Sequence, residues 1–193
     1  MTSKLHTVIA STRPGRIGPS IARWFDEFAR RHGKFDARLI DLADFKLPVL
    51  DEPHHPMRRQ YVHDYTKAFS TSVDDADAFV FVLPEYNYMP PPSFINAIDH
   101  VYWEWQYKPV GFVSYGGVSG GLRSAQQARL MATTVKMMPV PEGVALPNAY
   151  QQIKDDKFQA NELNEQGATA MLNEMIKWAE ALSPLRAQIR AAR

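Results

Sequence analysis

The chain has no cysteine. Disulfides, thiolate metal sites and cysteine nucleophiles are therefore excluded, and a reducing compartment suits it. A dominant charge is missing too: 22 Lys and Arg stand against 21 Asp and Glu, a formal net of +1. That balance gives no electrostatic case for nucleic acid or a membrane surface as partner. No apolar run nears bilayer-spanning length, and the opening MTSKLHTVIAS lacks the apolar stretch of a secretory signal. The expectation is a soluble cytoplasmic protein. Repeats and low-complexity linkers are also lacking, so residues 1–193 are expected to form one domain.

What the chain does have is an alternation of short apolar runs with helical periodicity. Leu5 to Ala10 reads as a strand. Pro19 suits a first helical position, Ile21, Trp24, Phe25 and Phe28 follow at helical spacing, and Gly33 is a natural stop. Ala37 to Leu42 gives a second strand, LPVLDEPHHP a proline-broken loop, and Tyr61 to Val73 a modest helix. Ala78 to Leu83 is continuously apolar, as a strand covered on both faces should be. Ser93 is placed to cap a helix carrying Phe94, Ala97, Ile98, Val101 and Trp105 on one face. Tyr102, Trp103, Trp105 and Tyr107 would then point around that helix, more aromatic surface than one core face needs. A fourth strand, Val110 to Ser114, leads through YGGVSGG into a helix ending near Met137. Pro139 to Leu146 is strand-like, with prolines that confine it to a sheet edge. A last helix spans Glu162 to Leu182 and stops at Pro184. The pairs Asp74-Asp75 and Asp155-Asp156 read as solvated turns.

Five strands with helices between them predict an α/β three-layer sandwich: one parallel sheet of order 2-1-3-4-5. Ligands of such sheets sit outside the carboxyl ends of the strands, which singles out the loops after strands 1, 3 and 4. The first, Ser11-Thr-Arg-Pro-Gly-Arg-Ile-Gly-Pro-Ser20, is neither G-x-G-x-x-G nor a P-loop. It does bring three hydroxyls, two arginines and two glycines to a helix N-terminus, where free N–H groups and the dipole favour an anion. The alternative is a plain capped turn. The second, Pro84-Glu-Tyr-Asn-Tyr-Met-Pro-Pro-Pro92, is rigid and aromatic. It suits the wall of a planar ring, or a stiff helix entry with surface tyrosines. The third, Ser114-Tyr-Gly-Gly-Val-Ser-Gly-Gly-Leu-Arg123, has four glycines that permit close backbone approach or positive φ. Together the three describe a nucleotide with a large aromatic ring. Asp51, Glu52, His54, His55 and His63 lack metal-site spacing, so no metal is expected. The Ser-His-Asp inventory has no G-x-S-x-G elbow.

Ser11, Arg13 and the glycines after it, Leu47-Pro-Val-Leu-Asp-Glu-Pro53, Ala76-Asp-Ala-Phe79, Pro84-Glu-Tyr-Asn87 with Asn96-Ala-Ile-Asp99, and Ser114-Tyr-Gly-Gly117 carry a resemblance. The chain resembles the NAD(P)H-dependent FMN reductases of flavodoxin-like fold, a group that includes bacterial quinone, chromate and azo-dye reductases. The resemblance implies a bound FMN reduced by NADPH or NADH, with electrons passing to a small acceptor such as a quinone, free flavin or an azo compound. It implies that Ser11, Arg13, Gly18, Pro19 and Ser20 hold the FMN phosphate. Pro84, Glu85, Tyr86 and Asn87 would line the isoalloxazine, and Ser114, Tyr115, Gly116 and Gly117 would flank its pyrimidine side and ribityl chain. Arg16 is a candidate contact for the pyridine nucleotide. No catalytic side chain is implied, since the chemistry belongs to the flavin N5. A homodimer, or a dimer of dimers, is expected. Tyr88 to Pro92 is the part that the resemblance does not cover. A flavodoxin-like electron carrier is the competing expectation, although the balanced charge lacks the acidic surface such carriers use for docking.

Overall fold

In the computed structural model, residues 2–191 are described. The chain alternates β1 (Ser3–Ile9), α1 (Gly18–His32), β2 (Phe35–Asp41), α2 (Asp64–Asp75), β3 (Ala78–Pro84), α3 (Pro92–His100), β4 (Pro109–Gly116), α4 (Leu122–Thr134) and β5 (Met138–Pro147). A short antiparallel hairpin follows, β6 (Ile153–Lys154) and β7 (Lys157–Phe158), and then α5 (Glu162–Ala181) and α6 (Ser183–Ala191). Strands β1 to β5 form one parallel sheet in the order β2-β1-β3-β4-β5.

All seven residues of β3 are buried, and they divide by parity. Val80 and Val82 join α1 and α5 in one core, while Phe79, Phe81 and Leu83 join α2, α3 and α4 in the other. An apolar run without alternation is therefore two alternating faces, each with its own cover. Strand β5 lies at a sheet edge, where its prolines need no ladder donor. Its register breaks opposite Val110 and Phe112, and Arg129 satisfies the exposed carbonyls there, donating to Val140, to Pro141 (3.1 Å) and to Glu142 (3.2 Å).

Several elements depart from expectation. Helix α2 starts at Asp64 rather than Tyr61, because the Glu52 carboxylate accepts from Val62 N–H (2.8 Å) and His63 N–H (3.1 Å) and ends the loop there. Helix α3 starts after Pro91, and the Ser93 hydroxyl, rather than capping it, donates to the Ala10 carbonyl at 2.5 Å. The same helix stops at His100, since Val101 is extended (φ −137°) and Trp103–Trp105 form a separate 3-10 turn. The aromatic run is thus not displayed around a helix: Trp105 is buried against Phe69, Phe79 and Phe81, while Tyr102, Trp103 and Tyr107 are half-buried. The competing term is the fully buried Glu104, which in this turn accepts from Ser70 Oγ (2.8 Å), Arg59 Nε (3.1 Å) and Tyr61 Oη (3.2 Å). A buried carboxylate is tolerated only when so paired.

Helix α4 ends at Thr134, short of Met137. Pro184 does not end the helical chain but sits in the first turn of α6. Asp155 and Asp156 are the turn of the β6-β7 hairpin, at φ 48° and 58°. Asp74 and Asp75, by contrast, end α2, and Asp75 pairs with Lys4 and with Arg38 (3.2 Å).

Candidate functional site

The loops after β1, β3 and β4, called the first, third and fourth loops after their strands, meet at the carboxyl edge of the sheet. The Ala10 N–H donates to the Val82 carbonyl (3.0 Å), so the first loop departs from a fixed point beside β3. Pro14-Gly15 form a turn closed by Arg16 N–H to the Arg13 carbonyl (3.3 Å), with Gly15 at φ 71°, where a side chain would be strained. Thr12, Arg13, Pro14 and Gly15 are exposed. Helix α1 then begins with no side-chain cap and no acidic residue in its first turn. Pro19 has no N–H and the Ser20 N–H donates to the Ile17 carbonyl (3.1 Å), while no acidic side chain of the first turn offsets the positive dipole end. The Arg13 guanidinium has no carboxylate or carbonyl partner among the described residues.

Arg16, in contrast, is committed. Its Nη2 lies 2.5 Å from Asp41 Oδ2, and the other Asp41 oxygen accepts from Ala43 N–H (3.0 Å), tying the first loop to the end of β2. The Ser20 hydroxyl donates to the Asp156 carbonyl at 2.8 Å, so it serves the β6-β7 hairpin. Gly18 is required by packing: a Cβ there would come within 2.8 Å of the Tyr115 hydroxyl. Tyr115, expected to flank the pyrimidine side of a flavin, is buried with its hydroxyl under the start of α1. Burial first, and then the neighbouring Tyr86, push its pKa well above the ordinary value, so it remains a neutral donor.

The third loop is a miniature hairpin. Tyr86 and Met89 exchange backbone hydrogen bonds at 2.9 and 3.0 Å, and Asn87 and Tyr88 between them both have positive φ, 51° and 71°. This is the geometry of a two-residue primed turn. The Tyr86 hydroxyl is 2.9 Å from Ser11 Oγ, which joins the hairpin to the first loop. Pro84 is buried and Asn87 exposed at the tip. Expected to line a ligand, Glu85 instead commits its carboxylate to α4. It accepts from Arg123 Nε (2.7 Å), Arg123 N–H (3.1 Å) and Ser119 Oγ (3.2 Å). Burial acts to raise the Glu85 pKa, but the bonds from Arg123 and Ser119 outweigh it and hold the carboxyl below its ordinary value.

In the fourth loop Ser114 is buried, its hydroxyl donating to the Gly120 carbonyl at 2.9 Å. Gly121, at φ 77°, packs on its own chain, for a Cβ there would meet the Tyr115 N and O atoms at 2.7 Å. Gly116 is similarly close to Gly121, with its virtual Cβ 3.1 Å from that nitrogen. Gly117 differs: nothing lies within 4 Å of the Cβ position, so its face is open. On the β2 side of the first loop, a cavity of about 430 Å³ is bounded by Thr12, Leu42, Lys46, Val49, Ser93 and Asn96. Asn96 fixes its wall by donating to the Pro48 carbonyl (2.6 Å) and accepting from Leu50 N–H (2.9 Å).

The model of one family, described as NADPH-dependent FMN reductase, matches residues 3–151. An NAD(P)H-dependent FMN reductase of Schizosaccharomyces pombe is 40% identical over 148 residues, which cover 76% of this chain and 74% of that protein. The chain belongs to the NADPH-dependent FMN reductase family. It is an oxidoreductase that uses FMN and NAD(P)H. An NAD(P)H:quinone oxidoreductase of Solanum tuberosum is 34% identical over 92 residues, covering 45% of this chain and 46% of that one. In fold, the flavoenzyme NAD(P)H:(acceptor) oxidoreductase FerB of Paracoccus denitrificans superposes with a TM-score of 0.72 at 17% identity, over 93% of this chain and 98% of that one.

The family match ends before the β6-β7 hairpin, so the Ser20 to Asp156 contact joins the matched region to a segment outside it. Two residues of the site were without a role in the sequence reading, Ser119 and Arg123, which lock the third loop to the fourth. The available signal is an arginine at the second position of a helix directly after Gly-Gly. Among the described residues no three His, Asp or Glu side chains are grouped to hold a metal ion. No helix among them is long and apolar enough to cross a membrane.

Proposed function

We propose that the FMN phosphate binds at the open N-terminus of α1, held by Arg13, the Ser11 hydroxyl and the backbone from Thr12 to Ser20, with Gly18 and Pro19 forming the floor. The single observation that carries this is the pairing of an uncapped helix start with an arginine whose guanidinium has no carboxylate or carbonyl partner among the described residues. The isoalloxazine then lies along Pro84, Tyr86 and Asn87. Gly116 and Gly117 face it from the other side, and Glu85, Ser114 and Tyr115 act from behind by fixing the backbone. Arg16 orients the first loop through Asp41, and this reading gives it no direct contact with the pyridine nucleotide.

The bound flavin supplies the redox chemistry, from NADPH or NADH to a small acceptor such as a quinone, free flavin or an azo compound. The chain's own part is to hold the phosphate, to present one ring face and to keep the hairpin rigid. The quinone oxidoreductase relative supports the acceptor class. We further propose one domain over residues 1–193, a cytoplasmic location and a homodimer or dimer of dimers. Exposed Val49 (87%), Met57 (49%) and Val62 (47%) on the long loop before α2 support the association. Purification followed by the visible spectrum, identification of heat-released flavin and NAD(P)H oxidation assays with quinone and free FMN test the function. A colourless protein that takes up no FMN contradicts it. Light scattering tests the assembly, and a mass near 21.9 kDa contradicts it.

A further inference from the structure

The tip of the third-loop hairpin carries a side chain that its backbone disfavours. Asn87 tolerates φ 51°, but Tyr88 at φ 71° is an outlier, because bulky residues rarely enter the left-handed region. Glycine is the ordinary occupant of that turn position. Glycine, however, would forfeit the contact that the ring makes. The Arg123 guanidinium carbon lies 3.8 Å from the centre of the Tyr88 ring.

That guanidinium is itself fixed. Its Nε donates to Glu85 Oε1 (2.7 Å), and its Nη2 lies 2.5 Å from the same oxygen and 3.0 Å from Ser119 Oγ. Glu85 forms the base of the hairpin, where its N–H donates to the Tyr115 carbonyl (3.1 Å). Base and tip are thus joined through one arginine on the first turn of α4. With one face on Arg123, the Tyr88 side chain is still 63% exposed, so its other face is open. It also spans from the loop after β3 to the helix after β4, the two walls of the crevice.

We propose that Arg123 is a positioning residue for Tyr88, and that the open face of Tyr88 is the surface on which a planar acceptor of the quinone class stacks. The acceptor half rests on the function proposed above. The positioning half does not, and it is read without flavin. In flavin-free protein, Arg123→Gln and Tyr88→Ala each raise the hydrogen-exchange rates of the Tyr86 and Met89 amides about three- to tenfold, and the double variant raises them no further. If the Arg123→Gln effect persists undiminished in the Tyr88→Ala background, the arginine acts through Glu85 alone and the positioning claim is overturned. Arg123→Lys serves where Arg123→Gln folds poorly. It keeps a cation for Glu85 but lacks the planar group, so it matches Tyr88→Ala in exchange rate.

In flavin-loaded protein, both single variants raise the KM for a soluble benzoquinone at least about fivefold. An unchanged quinone KM in Tyr88→Ala overturns the acceptor claim. Failure to take up FMN overturns the proposed function and the acceptor claim with it, while the exchange experiment still decides the role of Arg123.

Discussion

Helices α1 and α4 both start at the carboxyl edge of the sheet, both follow glycine-containing loops, and they are finished in opposite ways. The N-terminus of α4 is filled from within. Gly121 is its N-cap, and the Glu85 carboxylate accepts from Arg123 N–H in the first turn. The N-terminus of α1 has no side-chain cap and no acidic residue in its first turn, and the Arg13 guanidinium beside it has no carboxylate or carbonyl partner among the described residues. The same dipole end is thus met by a carboxylate of the chain in one case and has none in its first turn in the other. The richer glycine loop is the closed one. Gly120 and Gly121 are there to let the chain pack on its own backbone, with virtual Cβ contacts of 3.0 Å and 2.7 Å.

The comparison can be broken by giving α1 the carboxylate that α4 has. Pro19→Glu places an acid in the first turn, which favours the helix but opposes a phosphate. FMN affinity, measured by quenching of flavin fluorescence, should fall by at least about 100-fold, with the melting temperature unchanged or raised. Removing the free cation is the next largest effect. Arg13→Ala deletes a charge-assisted bond of about 1.5–3 kcal/mol, which corresponds to an FMN dissociation constant roughly 10- to 150-fold higher, and the difference should shrink in high salt.

Glu85→Gln sharpens the other side of the comparison. It weakens the cap of α4 and its pair with Arg123, and denaturant unfolding should show a loss of about 1–2 kcal/mol near neutral pH. The sign of its pH dependence follows from the carboxyl being held below its ordinary value of 4.5. Its contribution is complete above that value and is lost as pH falls through the lowered one. The parent should therefore lose its advantage over Glu85→Gln in acid, the two stability curves converging below about pH 4.5. Ser20→Ala is the smallest effect. Its hydroxyl is spent on the Asp156 carbonyl, so FMN affinity should change less than about threefold, with stability lower by about 1 kcal/mol.

Most of the fold was legible because two kinds of signal agreed. The run Ala78 to Leu83 and the alternation of elements gave the sheet and its order, and Pro19 and Gly33 marked both ends of α1. The aromatic run after His100 was not legible. Its apolar residues continue a helical period, whereas the fold is decided by partners distant in sequence, Arg59, Tyr61 and Ser70, that converge on Glu104. The α6 helix was hidden by Pro184, which stops a helix and starts one equally well. In the site, the three loops were identifiable from glycine, proline and arginine content, but the direction of single side chains was not. Ser20, Glu85 and Tyr115 each turn to a partner in another loop or segment. Nor was it legible that Asn87 and Tyr88 are the two central residues of one turn.

FMN and riboflavin differ only in the phosphate, so their relative affinity tests the open end of α1 most directly. Titration of the flavin-free protein with each, followed by fluorescence, should give FMN an affinity at least about 100-fold higher, and Arg13→Ala should weaken FMN while leaving riboflavin unchanged. Equal affinities for the two flavins, or an Arg13→Ala protein that loses riboflavin as readily as FMN, would contradict the account.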